Sequence, residues 1–191
     1  MANSSAKTWR DTLEEHRRVM HGLDSAAGAL EPIAAAIVRA FRQGRRLYLI
    51  GNGGSAADAQ HIAGELLGRF KRERRPLPAI ALTTDTSTMT AVANDYEYDR
   101  VFARQVEGLI GPGDVLWCLS TSGNSPSILA AAALARERGA IVVGFTGETG
   151  GKLASLCDHA FKVPHASSDR IQEGHILAYH FLCEQIEAAF A

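Results

Sequence analysis

RLYLIGNGGS, residues 46–55, joins a short apolar run to a glycine-rich turn, and its reading decides the fold. Arg46–Ile50 is a candidate strand whose near-continuous apolar character suits burial on both faces of a parallel sheet. Gly51, Gly53 and Gly54 let the backbone turn sharply and approach a ligand closely. Ser55 falls where a helix N-cap is expected, and the helix that follows would offer free N–H groups to an anion. Strand, glycine turn and helix together predict the ligand-binding end of an open α/β sheet.

Further strands are expected at Ala79–Thr83, Val115–Ser120, Ile141–Thr146 and His159–Val163. Helical periodicity covers about 55–68, 99–109, 125–138 and 168–190. Strands alternating with helices predict a parallel sheet covered on both faces. Two amphipathic helices precede this unit. One runs from about 5 to 23 with Leu13, Val19, Met20 and Leu23. The other runs from about 25 to 43 with Leu30, Ile33, Ile37 and Phe41, and Gly44 stops it. The expectation is a single domain over 1–191, with N-terminal helices in 1–44 and the α/β core and C-terminal helix in 45–191.

Composition narrows the function. Hydrophobic residues make up 46% of 191, enough for a substantial core. A formal net charge of −1 gives no electrostatic case for nucleic acid or a membrane surface as partner. No apolar stretch approaches the length of a membrane span, and Lys7, Trp9, Arg10, Asp11 and Glu14 replace the apolar core of a signal peptide. Cys118, Cys157 and Cys183 form no CxxC pair and read as small core residues. The expected compartment is the cytoplasm.

A second loop, Ser120-Thr121-Ser122-Gly123-Asn124-Ser125, lies between a strand and a helix. Its four hydroxyls around one glycine exceed what a turn needs. Hydroxyls and backbone N–H groups can hold a phosphate without lysine or arginine. The bland alternative is a Ser/Thr turn with Ser125 as N-cap. Gly51, Gly53 and Ala56 also fit a dinucleotide fingerprint, but the acidic residue that fingerprint needs is missing, since Asp85 lies too far along. A P-loop is excluded because no Gly-Lys-Ser/Thr follows.

His61 and Glu65 are four apart and share a helix face. Gln172 and His180 are eight apart, about 80° around the last helix, and so also converge. Two histidines, a carboxylate and an amide oxygen suit a divalent metal. Singly, each histidine is more often an ordinary hydrogen-bonded residue, and Glu65 with Arg69 fits a surface pair. His16, His21, His159, His165 and His175 read as structural. The same carboxylate and imidazole types supply the base and acid that aldose–ketose isomerisation requires. Lys7, Lys71, Lys152 and Lys162 lie outside both loops, which disfavours a Schiff base. Lys71–Arg75 (KRERR) reads as a solvated basic run.

Taken together, GNGGSAADAQHIAGEL (51–66), LTTDTSTMTAVANDY (82–96), STSGNS (120–125) and DRIQEGHILAYH (169–180) resemble the phosphoheptose isomerases of the sugar-isomerase (SIS) family. The likeness spans most of the chain. It implies a flavodoxin-like three-layer sandwich that converts D-sedoheptulose 7-phosphate to D-glycero-D-manno-heptose 7-phosphate, the first step of bacterial heptose synthesis. It implies a homotetramer with sites between subunits, its N-terminal helices in a central bundle, and one zinc ion per subunit.

By the same likeness, Asn52, Gly53, Gly54 and Ser55 match the first sugar-phosphate loop, and Asn94 and Asp95 the next substrate segment. Ser120, Thr121, Ser122 and Ser125 match the phosphate loop. His61, Glu65, Gln172 and His180 match the zinc ligands, with Glu65 as base and His180 as acid. Asp169 and Arg69 match further polar positions. None of these positions departs from the family pattern. The sequence leaves two roles open for the metal, Lewis acid or structural pin. It also leaves open whether the product feeds lipopolysaccharide, an S-layer glycan or a secondary metabolite. Two rival readings share the fold: a non-catalytic scaffold that binds the replication initiator, and an isomerase or sensor of another sugar phosphate.

Overall fold

The computed structural model describes residues 7–191. Five parallel strands form one sheet in the order β2-β1-β3-β4-β5: β1 Leu47–Gly51, β2 Ala79–Ala81, β3 Val115–Leu119, β4 Ile141–Thr146 and β5 His159–Lys162. This is the flavodoxin-like order, and the fold is the expected three-layer sandwich. β1 and β3 pair in register from Leu47 opposite Val115 to Gly51 opposite Leu119. Both strands are buried along their whole length, as their apolar runs require.

Side chains leave the sheet alternately and build two cores. Leu47, Leu49, Trp117 and Phe145 face one side, where they meet α1 (Trp9–Gly22), α2 (Leu30–Arg42), α3 (Gly54–Leu67) and α7 (Ser168–Ala188). Tyr48, Ile50, Leu116 and Cys118 face the other, under α4 (Thr86–Asp95), α5 (Val101–Leu109) and α6 (Pro126–Glu137). Cys118 and Cys183 are buried and Cys157 is half-buried. Burial pushes the Cys157 and Cys183 thiols up to about 12, so both stay protonated. No helix among the described residues is long and apolar enough to cross a membrane.

Several elements differ from the sequence expectation. α1 begins at Trp9, capped by Thr8, whose side chain accepts from Asp11 N while Asp11 returns a bond to Thr8 N. Positions 5 and 6 of the expected helix lie outside the described residues. The second helix starts at Leu30, not near 25, because Pro32 lacks an N–H and is tolerated only in the first turn. Residues Leu23–Ala29 form a 3-10 segment instead. β2 stops at Ala81. Helix α4 was not expected, since TSTMTAVAND is threonine-rich and weakly periodic. Its start is fixed by Asp85, whose carboxylate accepts from Thr88 N at 3.0 Å.

Gly174 and His175 seat α7 against the sheet. His175 is fully buried and its Nε2–H donates to the Thr146 carbonyl at 3.2 Å. Burial drives its pKa down to about 4, opposed by that carbonyl. The folded chain therefore binds fewer protons than the unfolded one between pH 6.5 and 4, and stability falls as pH drops through that window. A shift of this size is worth about 3 kcal/mol. We expect His175→Gln to flatten the loss of stability between pH 6.5 and 4, measured by urea unfolding at stepped pH. An unchanged slope would exclude His175 as its source.

Candidate functional site

The strand order reverses between β1 and β3, so the loops that follow them diverge to opposite faces and leave a crevice at the strand ends. The two loops singled out in the sequence line that crevice. In the first, the N-cap of α3 is Gly53, with φ 56, and not Ser55. Ser55 is instead buried in the first turn of the helix. A glycine caps here because the chain must enter the helix from a backbone region closed to most side chains. Asn52 ties the two halves of the site together. Its Nδ2 donates to Ser127 Oγ at 3.0 Å and its Oδ1 accepts from the Tyr98 hydroxyl at 2.8 Å.

In the second loop Ser125 does cap α6, with Pro126 at the next position, but its hydroxyl turns to Ser120 Oγ at 3.3 Å. Asn124 N bonds to Ser122 Oγ at 3.1 Å, and Asn124 Oδ1 accepts from Lys152 N at 3.0 Å. Thr121 Oγ1 bonds Ser168 Oγ at 3.3 Å, which links this loop to the start of α7. A small hollow of about 190 Å³ lies beside it, lined by Thr121, Ser122, Thr149 and His165 among others. Gly123 is held at φ +64, and a Cβ there would lie 2.2 Å from the Gly150 carbonyl oxygen.

The second cluster forms where α3 and α7 run side by side. His61 Nε2 lies 3.1 Å from Glu65 Oε1 and 3.5 Å from His180 Nε2. One ligand atom from each of the three residues lies within 4.8 Å of the other two. Burial lowers the pKa of His180, as does the neighbouring His61, so His180 stands as a neutral imidazole with a lone pair to give. Two histidines and one carboxylate leaving a position open is the donor set of catalytic zinc sites, so these residues fit a divalent metal.

The ring of Phe70 stacks on His180, with centroids 5.6 Å apart and an interplanar angle of 5°. Phe70 is held in turn by Glu187. That buried carboxylate accepts from the backbone N–H groups of Phe70, Lys71 and Arg72 at 2.8 to 2.9 Å. Burial opposes its ionisation, but these three donors and Arg74 outweigh it and hold its carboxyl below the ordinary range.

Within KRERR, Lys71, Arg72, Glu73 and Arg75 are exposed as expected of a solvated run, but Arg74 corrects that reading. The Arg74 side chain is fully buried, and it donates to the Glu65 and Gly68 carbonyls, both at 2.8 Å, at the C-terminal end of α3.

The remaining candidates are spread more widely. The Gln172 amide lies against Gly54, where a Cβ would come within 2.4 Å of Nε2. That is roughly 12 Å along α7 from His180. Asn94 and Asp95 end α4 on the surface, bonded to each other at 2.9 Å. Asp169 is exposed at the start of α7. Its bond from the Ser167 hydroxyl, and Arg170 beside it, keep its carboxyl below its usual range. Arg69 is exposed just past α3. Glu65 pairs with His61, not with Arg69.

The SIS domain family matches residues 13–147. The phosphoheptose isomerase of Pelobacter propionicus is 55% identical over 157 residues, covering 82% of this chain and 83% of that protein. The chain belongs to the phosphoheptose isomerase family. Solved phosphoheptose isomerases agree in fold. The Francisella tularensis enzyme superimposes with a TM-score of 0.91 at 37% identity, over 94% of this chain and 96% of that one. The Neisseria gonorrhoeae enzyme gives 0.87 at 40%, over 93% and 95%.

Within this phosphoheptose isomerase scaffold, sequence reasoning missed Tyr98, Ser127, Phe70, Tyr179 and Glu187. Tyr179 is a buried aromatic of α7, and at such a position the sequence reads core packing and gives no signal that the hydroxyl serves a site. For the second loop, we expect Gly123→Ala to raise KM for a sugar phosphate at least tenfold with the far-UV spectrum unchanged, since the loop cannot hold its φ with a Cβ. An unaltered KM would show that the loop's shape does not matter to the substrate.

Proposed function

We propose that this chain is an aldose–ketose isomerase that converts D-sedoheptulose 7-phosphate to D-glycero-D-manno-heptose 7-phosphate through an enediol. The observation that carries the chemistry is the convergence of Glu65 and His180 on one point beside His61. Glu65 takes the proton from the carbon next to the carbonyl, and His180 delivers one to the carbonyl oxygen. Asn52, Gly53, Gly54, Ser55, Ser120, Thr121, Ser122 and Ser125 hold the phosphate end by hydroxyls and backbone N–H groups. Arg69, Asn94, Asp95, Asp169 and Gln172 contact the sugar.

His61, Glu65 and His180 would hold one zinc ion per subunit, with Gln172 of a neighbouring copy as the fourth ligand, since the Gln172 amide of the same chain packs on Gly54 at the other end of α3. Bound zinc supplies Lewis acidity toward the carbonyl oxygen. The scaffold reading is not favoured, because both the base and the acid are present.

We also propose a homotetramer with sites between subunits. Glu65 lies roughly 16 Å along α3 from the first loop. A neighbouring copy that brings its own loop to this end would shorten that reach. The exposed apolar face of α7, with Ile176, Leu177 and Phe181, supports such a contact. The chemistry and the charge call for a sugar-phosphate substrate, and neither a nucleic acid nor a membrane partner, in the cytoplasm.

The test is to incubate the protein with sedoheptulose 7-phosphate and follow the aldose by NMR, with and without chelator and added zinc. Product that chelator removes and zinc restores is expected. No product under any condition from folded protein would overturn the reading. Glu65→Gln should lower turnover by at least a thousandfold without unfolding the chain, and near-normal activity would remove Glu65 as the base. Ser122→Ala should raise KM more than it lowers kcat, and an unchanged KM would take Ser122 out of the phosphate loop.

A further inference from the structure

Beneath the His61–Glu65–His180 cluster lies a second pair of polar side chains. Tyr179 is 1% exposed, and its ring meets His61 edge to face at 5.4 Å and His180 at 4.8 Å. The Tyr179 hydroxyl lies 3.0 Å from His61 Nδ1. The Asp58 carboxyl, three residues before His61 on α3, lies near enough for this hydroxyl to favour its charged form, although the two make no hydrogen bond at full geometry. Asp58 is 8% exposed, and its Oδ2 meets no donor at full hydrogen-bond geometry. A carboxylate in such surroundings is costly.

The hydrogen count along this line gives it a purpose. Tyr179 has one hydroxyl proton to place. If the proton points to His61 Nδ1, then His61 carries its own proton on Nε2 and donates it to Glu65, 3.1 Å away. That ring has no lone pair for a cation. If the proton points to Asp58, the tyrosine oxygen accepts from His61 Nδ1–H, and Nε2 is left with a lone pair facing Glu65 and His180. The two arrangements differ only in where the hydrogens sit. The second needs an acceptor beyond the tyrosine, and the unpartnered Asp58 Oδ2 is free to take that role.

We propose that Asp58 and Tyr179 are positioning residues, a buried relay that fixes the tautomer and ring orientation of His61 so that Nε2 can ligate a metal. Metal-bound histidines commonly donate their other nitrogen to an outer partner, and loss of that partner costs metal affinity. The relay rests on the zinc site proposed above. It also accounts for a buried, poorly satisfied carboxylate that the isomerisation itself does not use.

The experiment is zinc binding by competition with a fluorescent chelator, on full-length protein stripped of metal, with zinc alone as the probe. Wild type, Tyr179→Phe and Asp58→Ala are compared, with thermal unfolding of each metal-free protein. Both variants are expected to bind zinc about 10- to 100-fold more weakly. Asp58→Ala is expected to unfold at the same temperature as wild type or higher, since it removes a buried charge. With excess zinc, both should regain turnover at an unchanged KM for the sugar phosphate. In the zinc-loaded wild type, ring nitrogen NMR should find His61 protonated on Nδ1.

If wild type binds zinc and both variants bind it within twofold as tightly, the relay is wrong while the metal site stands. If wild type binds no zinc, the metal site falls and the relay with it. A variant that binds zinc weakly but stays inactive and raised in KM under excess zinc would mark a general packing role and overturn the assignment. Should Tyr179→Phe fail to fold, Asp58→Ala carries the comparison alone.

Discussion

The parallel packing of α7 against α3 is the constraint on which the site depends. Three contacts pin the two helices in one register. The Gln172 amide packs on Gly54 at the start, the Tyr179 hydroxyl meets His61 Nδ1 in the middle, and the Glu187 carboxylate gathers the backbone just past the end. A helical residue advances about 1.5 Å, so a slip of one turn would separate His180 from His61 and disperse the donor set. Both helices lie over the same face of the sheet, where their apolar residues share one core with Leu49, Trp117 and Phe145.

Strand order divides the labour differently. The reversal between β1 and β3 opens the crevice, and the two hydroxyl- and glycine-rich loops fall there because they follow those strands. Asn52 and Ser127 bond across the divide and couple α3 on one face to α6 on the other. The proposed phosphate end of the site is thus built from loops braced by backbone and amide bonds. The proposed acid–base end is built from helix surfaces braced by aromatic rings. Loops tolerate close backbone approach to an anion, and helices fix side-chain spacing, so each part uses the element suited to its chemistry.

The Glu187 clamp joins the two themes. Its charge is buried, yet three N–H donors and Arg74 compensate it, and one arginine of an otherwise exposed basic segment becomes a buried cap on α3. The consequence reaches the site through Phe70, whose ring lies flat against His180. Asp58 has no such compensation, and that contrast separates a carboxylate that holds the fold together from one that the fold tolerates.

By itself, the sequence determined the layer architecture, the parallel sheet, the place of the two glycine- and hydroxyl-rich loops at strand ends and the pairing of His61 with Glu65, because all of these are periodic or local. Apolar runs bounded by glycine specify strands, and a spacing of four specifies a shared helix face. It placed the start of α2 too early by overlooking Pro32, passed over α4 because threonine masks the helical pattern, and set the N-cap of α3 two residues late. Tertiary structure alone decided that His180 meets His61, since no spacing within one helix positions another. It alone decided that Arg74 is buried, that Phe70 and Tyr179 are supports for histidines, and that Asp58 lies behind them. Those facts depend on the register between α3 and α7, a long-range packing outcome that local propensity does not encode.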